Sequence, residues 1–368
     1  MANNLTYDVI GSYLAPDYLA QAREEFENGQ ISADTLALYQ DKAFNEIVEK
    51  QIEEGLEYVT SGELRRNHWG KDFYLGLSGI ERVNISEGSV LQSEPVMTDL
   101  LRFDGRIAYN PEHPFFHTLT LLSRAVGGRA RMKQTIPSPT DLYRTILKMT
   151  MSKPEAVYES PDTLIDDIAT AYNKTIRQFY HLGCRQIQLD DTVAGRLCNP
   201  DYLSRIIASG VDPMVMFDSI IDLINRSLAN LPDDLVKSIY ISGGNPIVPE
   251  WSSELSVDNI MIQMLQRLDV DKFYLPFDID NLKALEILKY VAPRKQVVLG
   301  LVSAHNPMME SPEKVLEAVD YASRFIPRER LSISPMSGFK LRSYISRGLS
   351  FNDQWNKIHL LRTICEQA

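Results

Sequence analysis

Residues 297–303 read Val297-Val298-Leu299-Gly300-Leu301-Val302-Ser303, a run that is apolar on both faces and ends on a hydroxyl. A strand with one solvated face alternates apolar and polar residues. A strand buried on both faces, as in a parallel sheet covered by helices, does not. Downstream, 312–325 carries helical periodicity and 331–335 returns to a short β-rich run, Leu331-Ser332-Ile333-Ser334-Pro335. This strand–helix–strand succession is a βαβ unit with parallel strands. The pattern repeats outward along the chain. β-rich runs stand at 7–12, 58–63, 132–138, 185–191, 238–243, 273–278, 297–303 and 331–335. Helical periodicity fills 36–56, 164–182, 212–231, 257–268, 282–291 and 312–325. Asp212-Pro213 reads as an N-cap followed by proline at the first helical position. Such repeated alternation predicts an α/β fold, a (β/α)8 TIM barrel, over a doubly wound sheet. No Gly-rich phosphate loop follows a strand, which weakens the dinucleotide-binding alternative. All 368 residues fit one decorated barrel domain, 1–368. Two stretches break the rhythm. Residues 72–125, with strand-like pieces at 72–77 and 106–109, read as an insertion after the second strand. Residues 139–163 read as an elaborated loop and helix after the third.

The composition narrows the class of function. Hydrophobic residues make up 44% of the chain, enough for a large core, and the formal net charge is −11. Nucleic acid and anionic membranes need a cationic footprint, so neither is an expected partner. A small molecule is, and a homo-oligomer is compatible. The three cysteines, Cys184, Cys198 and Cys365, give no disulfide framework and suit a reducing compartment. The polar start at 1–7 has no apolar signal-peptide core, so the expected location is cytoplasmic.

In a (β/α)8 barrel the polar residues at the C-terminal strand ends are the first candidates for chemistry. Here they are Ser12, Glu63, Gln134, Ser138, Asp190, Asp191, Tyr240, Ser242, Asp278, Asp280, His305 and Ser337. Each acid has a plainer reading as a cap of the following helix. Their convergence on one mouth favours function for the set, because buried carboxylates cost free energy unless paired or ligand-bound. His305, in Ser303-Ala304-His305-Asn306-Pro307, is the candidate acid–base group. His68, Trp69, Arg65 and Arg66 follow the second strand and either contact an anionic substrate group or pack the loop. His113, His117, His181 and His359 read as structural. Asp278 and Asp280 hint weakly at a hard-cation site, with capping the plainer reading. No H-x-C, H-E-x-x-H, C-x-x-C or facial-triad spacing is present, so no metal ligand set is evident.

Several of these segments, in order along the chain, resemble the catalytic domain of cobalamin-independent methionine synthase and its short bacterial and fungal paralogues. Asp8-Val-Ile-Gly-Ser-Tyr-Leu-Ala-Pro16 resembles the family's I-G-S-x-x-x-P strand. Thr60-Ser-Gly-Glu-Leu-Arg-Arg66, with Trp69 and Asp72-Phe73, resembles T-D-G-E-x-R-R and its W and D-F. Thr135-Ile-Pro-Ser-Pro139 is similar to the paralogues' third strand end, Ile187-Gln-Leu-Asp-Asp191 to Q-L-D-D, and Ser334-Pro-Met-Ser-Gly-Phe339 to S-P-x-C-G-F. The resemblance implies a barrel that binds a sulfur amino acid. Ser12 and Glu63 would hold the amino-acid head, Asp190 its ammonium, and His305 would serve in acid–base work.

The same resemblance implies a zinc site, and this sequence departs from it. Tyr240, Ser242, Pro276 and Ser337 stand where the family has His, Cys, Glu and Cys, and Ser61 stands for the Asp of T-D-G-E. Zinc there lowers the thiol pKa so that a thiolate attacks. The expectation is therefore no metal cofactor, with zinc absent. The protein would be a methionine-synthase-like enzyme repurposed for metal-free transferase or lyase chemistry on an amino-acid-like substrate. His305 would carry the proton, and Tyr240, Ser242 and Ser337 would line the vacated metal position, with Trp69 nearby. Alternatives are residual methyl transfer to a homocysteine-like thiol, a cofactor-free decarboxylase-like reaction, and a non-catalytic amino-acid-binding protein.

Overall fold

The computed structural model describes residues 5–83, 100–150, 157–242, 260–340 and 348–368. In chain order its strands are β1 (Thr6–Tyr7), β2 (Tyr58–Val59), β3 (Ser78–Val83), β4 (Leu100–Ala108), β5 (Arg131–Pro137), β6 (Cys184–Asp191), β7 (Val236–Ile241), β8 (Lys272–Pro276), β9 (Gln296–Val302) and β10 (Leu331–Pro335). Eight form one parallel sheet in the order β1-β10-β9-β8-β7-β6-β5-β2. The seam between its first and last strands is closed just beyond them. Tyr13 N donates to Gly62 O at 3.0 Å and Thr60 Oγ1 to Gly11 O at 2.9 Å. The result is the (β/α)8 barrel.

The helices form because their apolar residues fall on one face and their ends are capped. Pro161–His181 starts at Ser160, whose hydroxyl accepts from Thr163 N, and places proline in the first turn. Its buried stripe includes Leu164, Ile165, Ile168, Tyr172, Ile176 and Phe179. Ile187 and Leu189 of β6 join the same core. The alternate residues of β6, Gln186, Gln188 and Asp190, share the opposite face, which looks into the barrel.

The barrel interior is polar at its centre. Lys133 of β5 is 1% exposed and donates to Asp8 Oδ1 at 2.8 Å, to Val9 O, and to Tyr274 OH at 3.3 Å. Tyr274 OH donates in turn to Asp8 Oδ2. Gln186 Nε2 reaches Tyr274 OH at 2.7 Å and Ser238 Oγ at 3.1 Å. Lys272 Nζ approaches Asp8 Oδ2 at 3.8 Å. Burial pushes the Asp8 carboxyl up, but the Lys133 and Lys272 ammoniums outweigh it and hold the group below its ordinary value.

Several sequence expectations change in detail. The runs at 7–12 and 58–63 pair as strands over two residues each, because side chains take the backbone beyond. Asp8 Oδ1 accepts from Val9 N at 2.7 Å, and the Gln51 carboxamide engages both N and O of Thr60, each at 2.9 Å. Residues 72–77 do not form a strand-like piece. Lys71–Tyr74 is a helical turn, held by Asp72 Oδ2 accepting from Asn67 N at 2.7 Å and His68 N at 3.2 Å. The insertion is otherwise an antiparallel hairpin, β3 with β4, followed by a helix at Pro114–Val126. Leu282–Tyr290 winds as 3₁₀ turns. Residues 84–99, 151–156, 243 and 257–259 of the expected elements lie outside the described residues.

A buried ion pair that loses one partner leaves an uncompensated charge, which costs roughly 3–5 kcal/mol. Lys133→Met is therefore expected to lower unfolding stability by about that amount in urea titrations. Asp8→Asn combined with Lys133→Met should recover much of the loss; a double variant no better than the single one would show that the pair does not act as a unit.

Candidate functional site

The chain delivers Glu63 to the mouth through a turn with positive φ at both Gly62 and Glu63, 64° and 56°. A non-glycine residue held there is strained, and such strain persists only where surrounding contacts fix it. The contacts are present. Glu63 Oε1 accepts from Thr135 Oγ1 at 2.7 Å and lies 3.1 Å from an Arg66 guanidinium nitrogen. Arg66 also donates to Thr135 Oγ1 at 2.9 Å and lies 4.7 Å over the Phe115 ring. Arg66 is thus the cation paired with Glu63. Gly11 lies on the other side. Its φ is +138°, and an added Cβ would come within 2.6 Å of Thr135 Cγ2, so the backbone position beside Glu63 admits only glycine.

Asp190 and Asp191 part ways at the end of β6, as alternation along a strand requires. Asp191 faces outward and caps the following turn, accepting from Val193 N at 2.9 Å, Ala194 N at 2.6 Å and Thr140 Oγ1 at 2.7 Å. Asp190 faces the mouth. Among the described residues its carboxylate has one hydrogen-bond partner, Gln188 Nε2 at 2.7 Å, and no ion pair. The same Gln188 nitrogen donates to Ile10 O at 2.7 Å, tying Asp190 to the segment that carries Gly11 and Ser12. Burial and then the charge of Glu63 push Asp190 up to about 8, against the pull of Gln188, Arg66 and Lys133.

The remaining predicted residues surround this pair. Half-buried Tyr240 donates to Met336 O at 3.1 Å; burial and the Asp190 charge raise its phenol. The neighbouring charge thus works against proton donation from Tyr240 rather than for it. Ser337 Oγ donates to Gly338 O at 3.0 Å. Ser12 Oγ sits where a Gly338 Cβ would be, 2.0 Å away, so glycine there makes room for it. His305 is 6% exposed, in a loop pinned from below: Ser303 N donates to Glu310 Oε1 at 2.8 Å, and Glu310 Oε2 pairs with buried Lys357 at 3.1 Å. Half-buried Trp69 stacks beside His68, whose Nδ1 accepts from Gly70 N and Lys71 N at 3.2 Å. His113 is a helix N-cap bonded to Phe115 N and Phe73 O, and burial lowers it to about 4. Asp278 accepts from Asp280 N, and exposed Asp280 pairs with Lys314, so these two acids form a surface turn.

The donor set at the implied zinc position does not fit that ion. Tyr240 and Ser337 spend their hydroxyl protons on backbone carbonyls, Ser242 offers a neutral hydroxyl, and Pro276 has no donor atom. Among the described residues no three His, Cys, Asp or Glu side chains converge. Cys184 lies at the opposite end of β6 from Asp190, with its thiol bonded to Gln186 O and pushed up to about 12 by burial.

Sequence reading named the two acids but not what orients them: Thr135 for Glu63, Gln188 for Asp190, and Gly338 for Ser12. The Gln188 signal was present, since its position two residues before Asp190 on a strand puts both on one face.

The raised Asp190 value implies a stability slope. The folded state holds the proton more tightly than the unfolded chain, so this group's contribution is fully present below the ordinary value of 3.8 and is lost as pH rises through about 8. Asp190→Asn should remove that slope and melt several degrees above the wild type at alkaline pH, with little difference in acid. Parallel melting curves across this range would refute the shift.

The family model described as "Cobalamin-independent synthase, Catalytic domain" matches residues 253–347. Uncharacterized protein YxjH of Bacillus subtilis (strain 168) is 30% identical over 352 residues, covering 95% of this chain and 91% of that protein. The putative vitamin-B12 independent methionine synthase from Listeria monocytogenes superposes with a TM-score of 0.76 at 27% identity, over 99% of both chains. A B12-independent methionine synthase from Shewanella sp. W3-18-1, solved in complex with selenomethionine, shares the fold with a TM-score of 0.64 at 18% identity, over 99% of this chain and 97% of that one. The likeness runs from end to end, and the chain belongs to the cobalamin-independent methionine synthase family.

Proposed function

We propose that the protein binds an amino acid, or a compound with an amino-acid head, at Ser12, Glu63 and Asp190, and carries out metal-free group transfer or elimination on it. The observation that carries this reading is Asp190: a carboxylate in the barrel mouth, beside a second carboxylate, with no cation of its own among the described residues. Such a group needs a positive partner, and a ligand ammonium supplies one. The neighbouring Ser12 hydroxyl, seated against Gly338, is placed to receive the same head. The Shewanella protein's selenomethionine supports the ligand class. The family's methyl-transfer chemistry supports an enzyme rather than a binding protein.

In this reading His305 moves the proton and Tyr240 shapes the pocket wall. A loop anchored by a buried Lys357–Glu310 pair suits a group that must keep its position during reaction. Trp69, Ser242 and Ser337 complete the lining. A second reading, methyl transfer to a homocysteine-like thiol, draws on family membership. It requires His305 to take the thiol proton that zinc-bound synthases remove by coordination.

Calorimetry with L-methionine and L-homocysteine tests the head group. Asp190→Asn should weaken binding about tenfold or more, since a charge-assisted hydrogen bond contributes roughly 1.5–3 kcal/mol. His305→Asn should bind nearly as the wild type yet lose roughly 10²–10⁴-fold in turnover. Unchanged affinity in Asp190→Asn would remove the acid from the site, and unchanged turnover in His305→Asn would remove the proton carrier. Elemental analysis of dialysed protein is expected to find no stoichiometric zinc, and about one zinc per chain would restore the thiolate-type mechanism.

A further inference from the structure

At the mouth the Arg66 guanidinium lies against Glu63. The described elements around Asp190 can be searched for a second cation. From β5, Lys133 is the nearest, and its ammonium is already shared among Asp8, Val9 O and Tyr274. From β7, Tyr240 presents a neutral phenol that donates elsewhere, to Met336 O. From the segment after β1, the Ile10 carbonyl competes with Asp190 for the Gln188 amide. From the turn after β2 comes the like charge of Glu63, with Arg66 behind it. From the segment after β10, Lys340 donates to Arg66 O at 2.8 Å. Among the described residues Asp190 therefore faces one neutral donor, one like charge and no cation it does not share.

We propose that the empty site carries one exchangeable proton on the Asp190–Glu63 pair near neutral pH, and that a ligand with a cationic head displaces it into solvent. This rests on the ammonium-head reading above. The balance is simple. The ligand arrives as R–NH₃⁺ and keeps its protons. The carboxyl O–H bond of Asp190 breaks, its proton passes to buffer, and the carboxylate so formed accepts a hydrogen bond from the ammonium. No bond to the ligand forms and nothing is oxidised. The burial and Glu63 charge that push Asp190 up to about 8 agree with this geometry.

Two consequences follow from the linkage. Affinity for a cationic head rises roughly tenfold per pH unit below the pair's apparent value and flattens above it. The site also discriminates by charge: a neutral ligand offers nothing to offset the ionised pair and binds best to the protonated form, whereas an ammonium binds best to the ionised form.

L-Methionine is a suitable probe, since it has no thiol proton to confuse the count. Binding is measured calorimetrically near pH 7 in phosphate and in Tris, whose ionisation enthalpies differ widely. The expected result is an apparent enthalpy difference equal to nearly one proton released per site. In parallel, carboxyl-carbon NMR of the empty protein should show one carboxyl titrating near pH 8, absent in Asp190→Asn and shifted to lower pH in Glu63→Gln. Binding with equal enthalpies in the two buffers overturns the proposal, and so does an empty site in which no carboxyl titrates above pH 6. If methionine fails to bind, the ammonium-head reading falls, while the carboxyl titration still decides whether the pair holds the proton.

Discussion

The Asp8–Lys133 ion pair joins the two ends of a sheet that its backbone ladder leaves open. β1 and β2 are two residues long, and the strand ladder does not link them. Lys133 reaches from β5, the neighbour of β2, across the interior to Asp8 and Val9 just past β1. Neither charge tolerates that depth alone, so each fixes the other's strand. Tyr274, Gln186 and Ser238 then satisfy the remaining polar atoms from β8, β6 and β7. A barrel interior of this kind is usually filled with branched apolar side chains. Here a hydrogen-bonded network sets the distances between strands, and it is directional where dispersion packing is not.

The mouth inherits its geometry from that layer. Val9 O is held by Lys133 and Ile10 O by Gln188, so the next residues, Gly11 and Ser12, enter the site along a fixed path. Gln188 sits two residues above Gln186 on β6 and two below Asp190, and it passes the constraint upward. On the adjacent strand β5, in register with Gln188, Thr135 sits two residues above Lys133 and orients Glu63 and Arg66. Asp190 is thus presented by a strand, and Glu63 by a turn held against its neighbour, β5, with both strands tied to the layer below.

The family relation and the altered donor set pull the chemistry in different directions. One half of the mouth is built with close supports: Gly11 for Glu63, Gly338 for Ser12, Gln188 for Asp190. The half that would activate a thiol has hydroxyls bonded to carbonyls and a proline. A hydroxyl that already donates to the backbone is a poor ligand for a borderline-soft ion that prefers sulfur and nitrogen.

The sequence by itself determined the barrel, the order of its strands, and the strand-end positions from which Glu63, Asp190 and His305 arise. Doubly buried apolar runs alternating with amphipathic helices have few other solutions, and a strand's two-residue period assigns faces without coordinates. It did not determine where β1 and β2 stop, because Gln51 and the Asp8 carboxylate, not a local propensity, end those ladders. It read 72–77 as strand-like, where Asp72 closes a helical turn by capping residues upstream of it. Most of all it could not say which acid would be left without a cation. Asp190 and Asp191 are neighbours of one residue type, yet one caps a turn and the other looks into the mouth beside Glu63. Which charges meet, and which are left facing one another, depends on segments far apart in the chain, and only the closed barrel brings Glu63, Lys133 and Asp190 within range of each other.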